Sequence, residues 1–313
     1  MRGMSQRAIE ETDLNLHFRA QKILALITLI ANIGISVTGS IVRVTGSGLG
    51  CNTWPNCHAG SLVPVEGAAP AIHQAIEFGN RLLTFVLVVL SFSLFIVVLH
   101  AKRRKEIILL TVFVGLGIVA QAIIGGITVL LQLQWSAVAL HFLVSIILVW
   151  ISALLYLRVQ ESDWDEPSLV ITPALRAGAS IAAIALAIVV VTGTLVTGSG
   201  PHAGDAEVGA EGRLAFDTLM LTYVHAGAMY VYLLITVVVA IFLHKSGTPK
   251  DIQRIAKLLI LFIIIQWGIG VLQVYLGVPE WAVPLHVLMS TVVVTYTAFL
   301  WGRGRSRTFL TES

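Results

Sequence analysis

The residues best suited to chemistry are three histidines and one carboxylate, all near the ends of long apolar runs. His141, His225 and His286 stand among aliphatic neighbours, and Glu77 stands with His73, Asn80 and Arg81 in the segment IHQAIEFGNRLLTF. Imidazole exchanges protons near neutral pH and ligates transition metals. An ionisable group within an apolar span is a functional candidate by default, because burying it in lipid is costly. His73, Glu77 and Asn80 follow at intervals of four and three residues, so they share one helical face.

Two of the histidines belong to a repeat. Residues 121–141, QAIIGGITVLLQLQWSAVALH, and 266–286, QWGIGVLQVYLGVPEWAVPLH, share a Gln, a Gly four residues later (Gly125, Gly270) and a His twenty residues on, at a constant offset of 145. The same offset pairs His225 with Asn80, Thr222 with Glu77 and Thr218 with His73. Three imidazoles and one asparagine therefore occupy four equivalent places.

Two neutral imidazoles facing each other inside a helix bundle suit axial ligation of a haem iron. Zinc would want three or four close ligands, and no carboxylate or thiolate accompanies His225 and His286. The second half thus reads as a bis-His electron-carrier site. The first half keeps His141, has Asn80 in place of the second imidazole, and adds Glu77, an arrangement that suits acid/base chemistry on a bound ligand. Arg43, Arg81 and Arg213 at the outer face are candidates to neutralise haem propionates. The plainer account of Glu77 and Arg81 is a surface pair one turn apart, worth tenths of a kcal/mol. Cys51 and Cys57, the only cysteines, fall in an outer loop where a disulfide is the natural state, serving either to pin the loop or in redox chemistry. His17, His58, His100, His202 and His244 fall in loops or at interfaces and read as structural.

The elements that must position these groups are membrane helices. The chain has 313 residues, of which 57% are hydrophobic and 12% charged, with a mean hydropathy of +0.88. Apolar runs cover residues 23–42, 82–99, 107–157, 177–200, 218–243, 258–279 and 281–302. The third is too long for one span and breaks at 132–136, which predicts eight spans of about 20 residues or more. The fold class expected is an all-α integral membrane protein, its eight transmembrane helices forming two pseudo-symmetric four-helix bundles. The halves are residues 1–158 and 174–313, joined by an acidic linker, 159–173, read as a connector. Seventeen of the twenty Lys and Arg fall at one face, predicting cytoplasmic termini. The net charge of +3 is thus topological and implies no nucleic-acid partner. No cleavage pattern follows the first apolar run, and an Arg- and Ser-rich transit segment is absent, so a bacterial plasma membrane is the expected location.

TGSG-x-x-C…WP-x-C at residues 45–57, E-F-x-x-R at 77–81, and Leu-His at 140–141 and 285–286 together resemble the haem A synthase family, over residues 22–301. That family oxidises a methyl group of haem O to the formyl group of haem A for terminal oxidases. The resemblance implies that His225 and His286 hold haem b, beside which Arg43 and Arg81 are the cofactor-binding arginines expected from their outer-face position. It implies Glu77 as the catalytic carboxylate, Cys51–Cys57 as a disulfide and His141 as a ligand in the substrate-haem site. The family pattern has a histidine three residues after the glutamate; this chain has Asn80, which leaves His141 alone or paired with His73, two turns away. Implied partners are haem O as substrate, membrane lipid, haem O synthase and a second copy of the chain. Two other classes fit parts of the pattern: a bis-His cytochrome b of an electron-transfer complex, and a transporter built from repeats.

Overall fold

The computed structural model describes residues 2–203 and 212–309, with side chains from residue 18 onward; the expected cytoplasmic Arg2 and Arg7 and the structural His17 lie outside the described side chains. Eight helices run in order: α1 (Arg2–Val44), α2 (Ala71–His100), α3 (Lys105–Leu130), α4 (Trp135–Arg158), α5 (Pro173–Ser199), α6 (Thr218–Lys245), α7 (Lys250–Tyr275) and α8 (Ala282–Arg303). All eight contain stretches long and apolar enough to cross a membrane. Their outward faces carry large apolar side chains, Phe85, Phe92 and Leu234 among them. In water so much exposed hydrocarbon would drive aggregation; in lipid it is solvated.

Helix ends follow from local chemistry. Thr172 caps α5 by accepting the Leu175 N–H, ahead of Pro173 in the first turn, and Asp217 caps α6 by accepting the Met220 N–H. The α3–α4 hairpin closes through left-handed residues Gln132 and Leu133, and the α7–α8 hairpin through Gly277 and Val278. These positions differ by 145, as do Lys102 and Gly247, which close α2–α3 and α6–α7. The turn hydrogen bonds repeat too: Leu133 N–H to Thr128 O matches Val278 N–H to Gln273 O, and Arg103 N–H to Val98 O matches Thr248 N–H to Leu243 O. The repeat seen in side-chain types is therefore also a repeat of backbone conformation.

Neighbouring helices form two closed circuits, α1–α2–α3–α4 and α5–α6–α7–α8, joined where α1 and α4 meet α8 and α4 meets α5. Buried apolar residues fall into two clusters. One lies within α1–α4, around Leu87, Leu94, Val114 and Leu155. The other bridges α1 and α4 to α5–α8, around Leu29, Val149, Leu259 and Val294. A few paired polar groups lie within this packing: Tyr232 bonds Thr297 at 2.6 Å, and Asn32 on α1 donates to Ser152 on α4 at 3.3 Å.

The linker is more than the connector expected from its composition. Glu161, 1% exposed, accepts from Arg104 at 2.7 Å and from Arg158 at 2.5 Å. Asp163 pairs with Arg103 at 2.7 Å and with Arg104 at 3.1 Å. Ser168–Leu169 (β1) pairs antiparallel with Arg305–Ser306 (β2), the only two strands among the described residues. Arg176 donates to Trp301 O and stacks on the Trp301 ring. Linker, C-terminal segment and the α2–α3 turn thus form one ion-paired plate at the end of the bundle opposite the Cys51–Cys57 loop. Arginines in that plate use their fixed forks on several carbonyls and carboxylates at once.

Glu161→Ala takes the nearest carboxylate from two nearly buried guanidiniums, Arg104 and Arg158, and leaves them only the longer pairs to Asp163 and Glu106, a loss of about 2 kcal/mol. The detergent-solubilised protein should then unfold at least about 5 °C lower, while Trp164→Ala, at a side chain 94% exposed, should leave the transition in place. An unshifted transition in Glu161→Ala would show that the plate does not contribute to stability.

Candidate functional site

At the end away from the plate, each of the three singled-out imidazoles rests on a glycine of a neighbouring helix. A Cβ added to Gly125 on α3 would lie 3.2 Å from His141 Cε1; one on Gly193 of α5, 3.1 Å from His225 Cε1; one on Gly270 of α7, 3.3 Å from His286 Cε1. Any larger residue would push the ring away, so glycine sets the depth at which each imidazole sits. Gly125 and Gly270 were legible from the repeat; Gly193 was not, because its helix departs from the offset of 145.

His225 is fixed further. Its Nδ1 lies 3.0 Å from Val189 O and 3.2 Å from Thr192 Oγ1, so the ring donates through Nδ1 to the carbonyl. That tautomer leaves the lone pair on Nε2, the usual arrangement for a metal-ligating histidine. His286 stands on α8, in the same half. Nδ1 of His286 and Nδ1 of His141 are both buried without a hydrogen-bond partner. Gln121 Nε2 donates to His141 O at 3.0 Å and Ser145 Oγ at 2.7 Å, orienting the second turn of α4. A glycine cradle, an enforced tautomer and unpartnered ring nitrogens fit an imidazole-ligated porphyrin iron. Among the described residues no group of three His, Cys, Asp or Glu side chains gathers as a site for a bare metal ion.

The first half has a different arrangement around Glu77. Its carboxylate is 5% exposed, accepts the Cys51 N–H through Oε2 at 2.6 Å and the Arg81 guanidinium through Oε1 at 2.6 Å. Arg81 also donates to Cys51 O, Thr53 O and Asn56 O at 3.0, 3.0 and 3.1 Å. The pair one turn apart is therefore not a loose surface contact. It is the clamp that seats the outer loop on α2. Cys51 and Cys57 are disulfide-bonded and wholly buried in that loop. Gly50 packs so closely on α2 that a Cβ there would meet His73 O at 2.4 Å, and Trp54 lies against Gly126 of α3.

Asn80 is bonded by Thr38 of α1, whose hydroxyl donates to Oδ1 at 2.7 Å. His73 is half-buried at the third residue of α2, on the loop side of Glu77. The outer arginines are engaged on backbone: Arg43 donates to His202 O at 2.7 Å and Thr197 O at 2.8 Å, and Arg213 to Ala203 O at 3.0 Å. Their donors and those of Arg81 thus hold loop carbonyls. His58, read from the sequence as structural, is buried between Gln74 Oε1 at 2.9 Å and Asn52 Oδ1 at 3.2 Å. Gln74 in turn bonds Val65 and Ala69 backbone, so His58 and Gln74 fasten the rest of the loop. The polar residue Gln74, one turn before Glu77 at an apolar helix start, was the available signal.

A polytopic helical membrane protein with imidazole sites set between its helices is the class these observations define. Comparison places it further: the profile of the COX15-CtaA family, described as cytochrome oxidase assembly protein, matches residues 22–298, and the chain belongs to that family. A protein of Listeria monocytogenes serovar 1/2a named heme A synthase is 28% identical over 293 residues, covering 89% of this chain and 93% of its own length. One of the same name from Exiguobacterium is 28% identical, covering 85% and 87%. Another from Lysinibacillus sphaericus is 34% identical over 187 residues, 58% of this chain and 59% of its own.

Arg81→Ala removes donors to three loop carbonyls and to Glu77. Hydrogen bonds to a charged group are worth about 1.5–3 kcal/mol each, so opening of the loop should become at least about tenfold easier. The check is maleimide labelling of Cys51 and Cys57 after brief reduction of intact membranes: fast labelling in Arg81→Ala, slow in the unsubstituted chain. Equal rates would sink the clamp.

Proposed function

We propose that this chain is a haem A synthase: an oxidoreductase that converts a methyl group of haem O to the formyl group of haem A. The observation that carries this reading is the asymmetry between repeats. Where one half has His225, the other has Asn80 with a buried, doubly hydrogen-bonded Glu77 one turn earlier. An electron carrier alone needs no such carboxylate. The names of the relatives point the same way.

On this reading residues 174–313 form the cofactor half and residues 1–158 the substrate half. His225 and His286 hold haem b, which when bound supplies one-electron transfer at a potential set by its two imidazoles. Val189 O fixes the tautomer of His225, and Gly193 and Gly270 fix how far the two rings project. In the substrate half His141 ligates haem O, with Gly125 behind the ring and Gln121 holding the backbone of α4. The methyl-to-formyl conversion takes oxygen from water and releases protons and electrons in equal number, the electrons going to an external electron acceptor. Glu77 is the group that receives protons, and Arg81 and the Cys51 N–H hold its two oxygens in fixed directions while it does so. The disulfide loop, seated by Arg81, Gln74 and Trp54, keeps bulk water from the edge of the substrate.

The arginine-rich plate faces the cytoplasm, as insertion bias requires for Arg103, Arg104, Arg158, Arg176 and Arg303. The loop carrying Cys51 and Cys57 then lies on the oxidising side, which agrees with the disulfide. A bacterial plasma membrane is the location proposed.

Glu77→Gln keeps the shape of the side chain and loses its proton acceptor. Haem A formation, read by extracting porphyrins from membranes supplied with haem O, should fall by about 10²-fold or more, with the b-type spectrum retained. His225→Ala and His286→Ala should each lose that spectrum. Undiminished haem A in Glu77→Gln would remove the carboxylate from the mechanism, and a colourless unsubstituted protein would remove the function.

A further inference from the structure

The two halves differ most sharply at one contact between their first two helices. In the second half Thr192 of α5 meets His225 Nδ1 at 3.2 Å, and Gly193 beside it lies against the ring. In the first half Thr38 of α1 meets Asn80 Oδ1 at 2.7 Å, and Gly39 stands beside it as Gly193 does beside Thr192. A Cβ on Gly193 would touch His225 at 3.1 Å, whereas a Cβ on Gly39 would meet nothing within 4 Å. The threonine–glycine seat for an imidazole is thus present in both halves, and in the first the ring is replaced by a shorter carboxamide.

A carboxamide is not among the side chains that ligate haem iron, which are imidazole, thiolate, thioether and phenolate. It is a good hydrogen-bond donor. With Oδ1 taken by the Thr38 hydroxyl, Asn80 keeps its Nδ2 hydrogens to donate. His73 does not reach the same place. It lies seven residues earlier, roughly 10 Å along the helix, and its backbone is pinned under Gly50 of the loop.

We propose, resting on the haem reading above, that the first-half haem has one protein ligand, His141. Its opposite face is open to a small exogenous ligand, toward which Asn80, positioned by Thr38, donates a hydrogen bond. The two haem sites then differ in kind: the second half is closed by two imidazoles, and the first admits water-sized molecules to the iron.

The test titrates ferric haem into the full-length protein in detergent. Visible and electron paramagnetic resonance spectra are recorded with and without cyanide, and His141→Ala marks which signal belongs to the first half. The expected result is a His141-dependent haem with a high-spin ferric signal that cyanide abolishes, beside a low-spin haem that cyanide leaves alone. Asn80→His should convert the first signal to low-spin and cut its cyanide affinity by more than about 100-fold, since a second imidazole must be displaced. Thr38→Val should weaken cyanide binding about fivefold, the equivalent of one hydrogen bond, and Thr38→Ser should restore it.

A His141-dependent haem that is already low-spin and refractory to cyanide overturns the proposal while leaving the haem function intact. So does the lack of any His141-dependent haem after titration. Unchanged cyanide affinity in Thr38→Val overturns the role of Thr38. Absence of haem from both halves overturns the function itself.

Discussion

An imidazole ring set with its Cε1 corner against a glycine of the next helix is the contact on which the histidine end of this molecule depends. It occurs at Gly125–His141, Gly193–His225 and Gly270–His286, with an imagined Cβ only 3.1–3.3 Å from each ring. The contact fixes two things together. It sets how closely α3 approaches α4, α5 approaches α6 and α7 approaches α8, and it sets how far each ring stands out from that pair. A ligand between helices is held within tenths of an ångström only if the rings cannot retreat, and small residues behind them are how close helix pairs achieve this in lipid. The apolar clusters and the ion-paired plate at the other end keep the helices from sliding along one another.

The two halves of the scaffold differ in their outer loops. From Thr38 to Asn80 is 42 residues, and from Thr192 to His225 is 33. Most of the nine additional residues fall in the loop that carries Cys51, Cys57 and His58. That loop is seated by groups which have no counterpart in the second half: Arg81, whose equivalent is Ala226, and Glu77, whose equivalent is Thr222. The carboxylate and the loop are one unit, since the Cys51 N–H and the Arg81 guanidinium satisfy its two oxygens and Arg81 then reaches the carbonyls around the disulfide. Burying Glu77 charged is tolerable only with such partners.

Much of this was legible in the chain. Apolar runs gave the spans, the offset of 145 gave the equivalence of His141 with His286 and of Asn80 with His225, and the match extends to left-handed turn residues such as Gln132 and Gly277. Other features were hidden for physical reasons. Side-chain type does not say where backbone carbonyls point, so the bonds of Arg43, Arg81 and Arg213 to the Thr197, Thr53 and Ala203 carbonyls could not be read from the chain. His58 read as structural, and so it is, but its partner Gln74 comes from the start of α2 and could not be assigned by spacing. The linker read as a connector because, apart from the local pair of Glu161 with Arg158, Glu161 and Asp163 find their partners 55 or more positions away, in Arg103 and Arg104 at the α2–α3 turn.

The shift of offset between α1/α5 and the remaining helices bears on how the halves came to differ. Within α2–α4 and α6–α8 the turns coincide hydrogen bond for hydrogen bond, because both hairpins must return the chain across the same thickness of lipid and any change in length would rotate a histidine off its glycine. The outer loops are under no such constraint: they leave the membrane and tolerate insertion at little entropic cost. Length was therefore free to change only there, and the added segment had to dock on the nearest polar surface, the first turns of α2. Gln74, Glu77 and Arg81 provide that surface at successive turns. A buried carboxylate in the first half and its absence from the second then follow from where the bundle could accept additional chain.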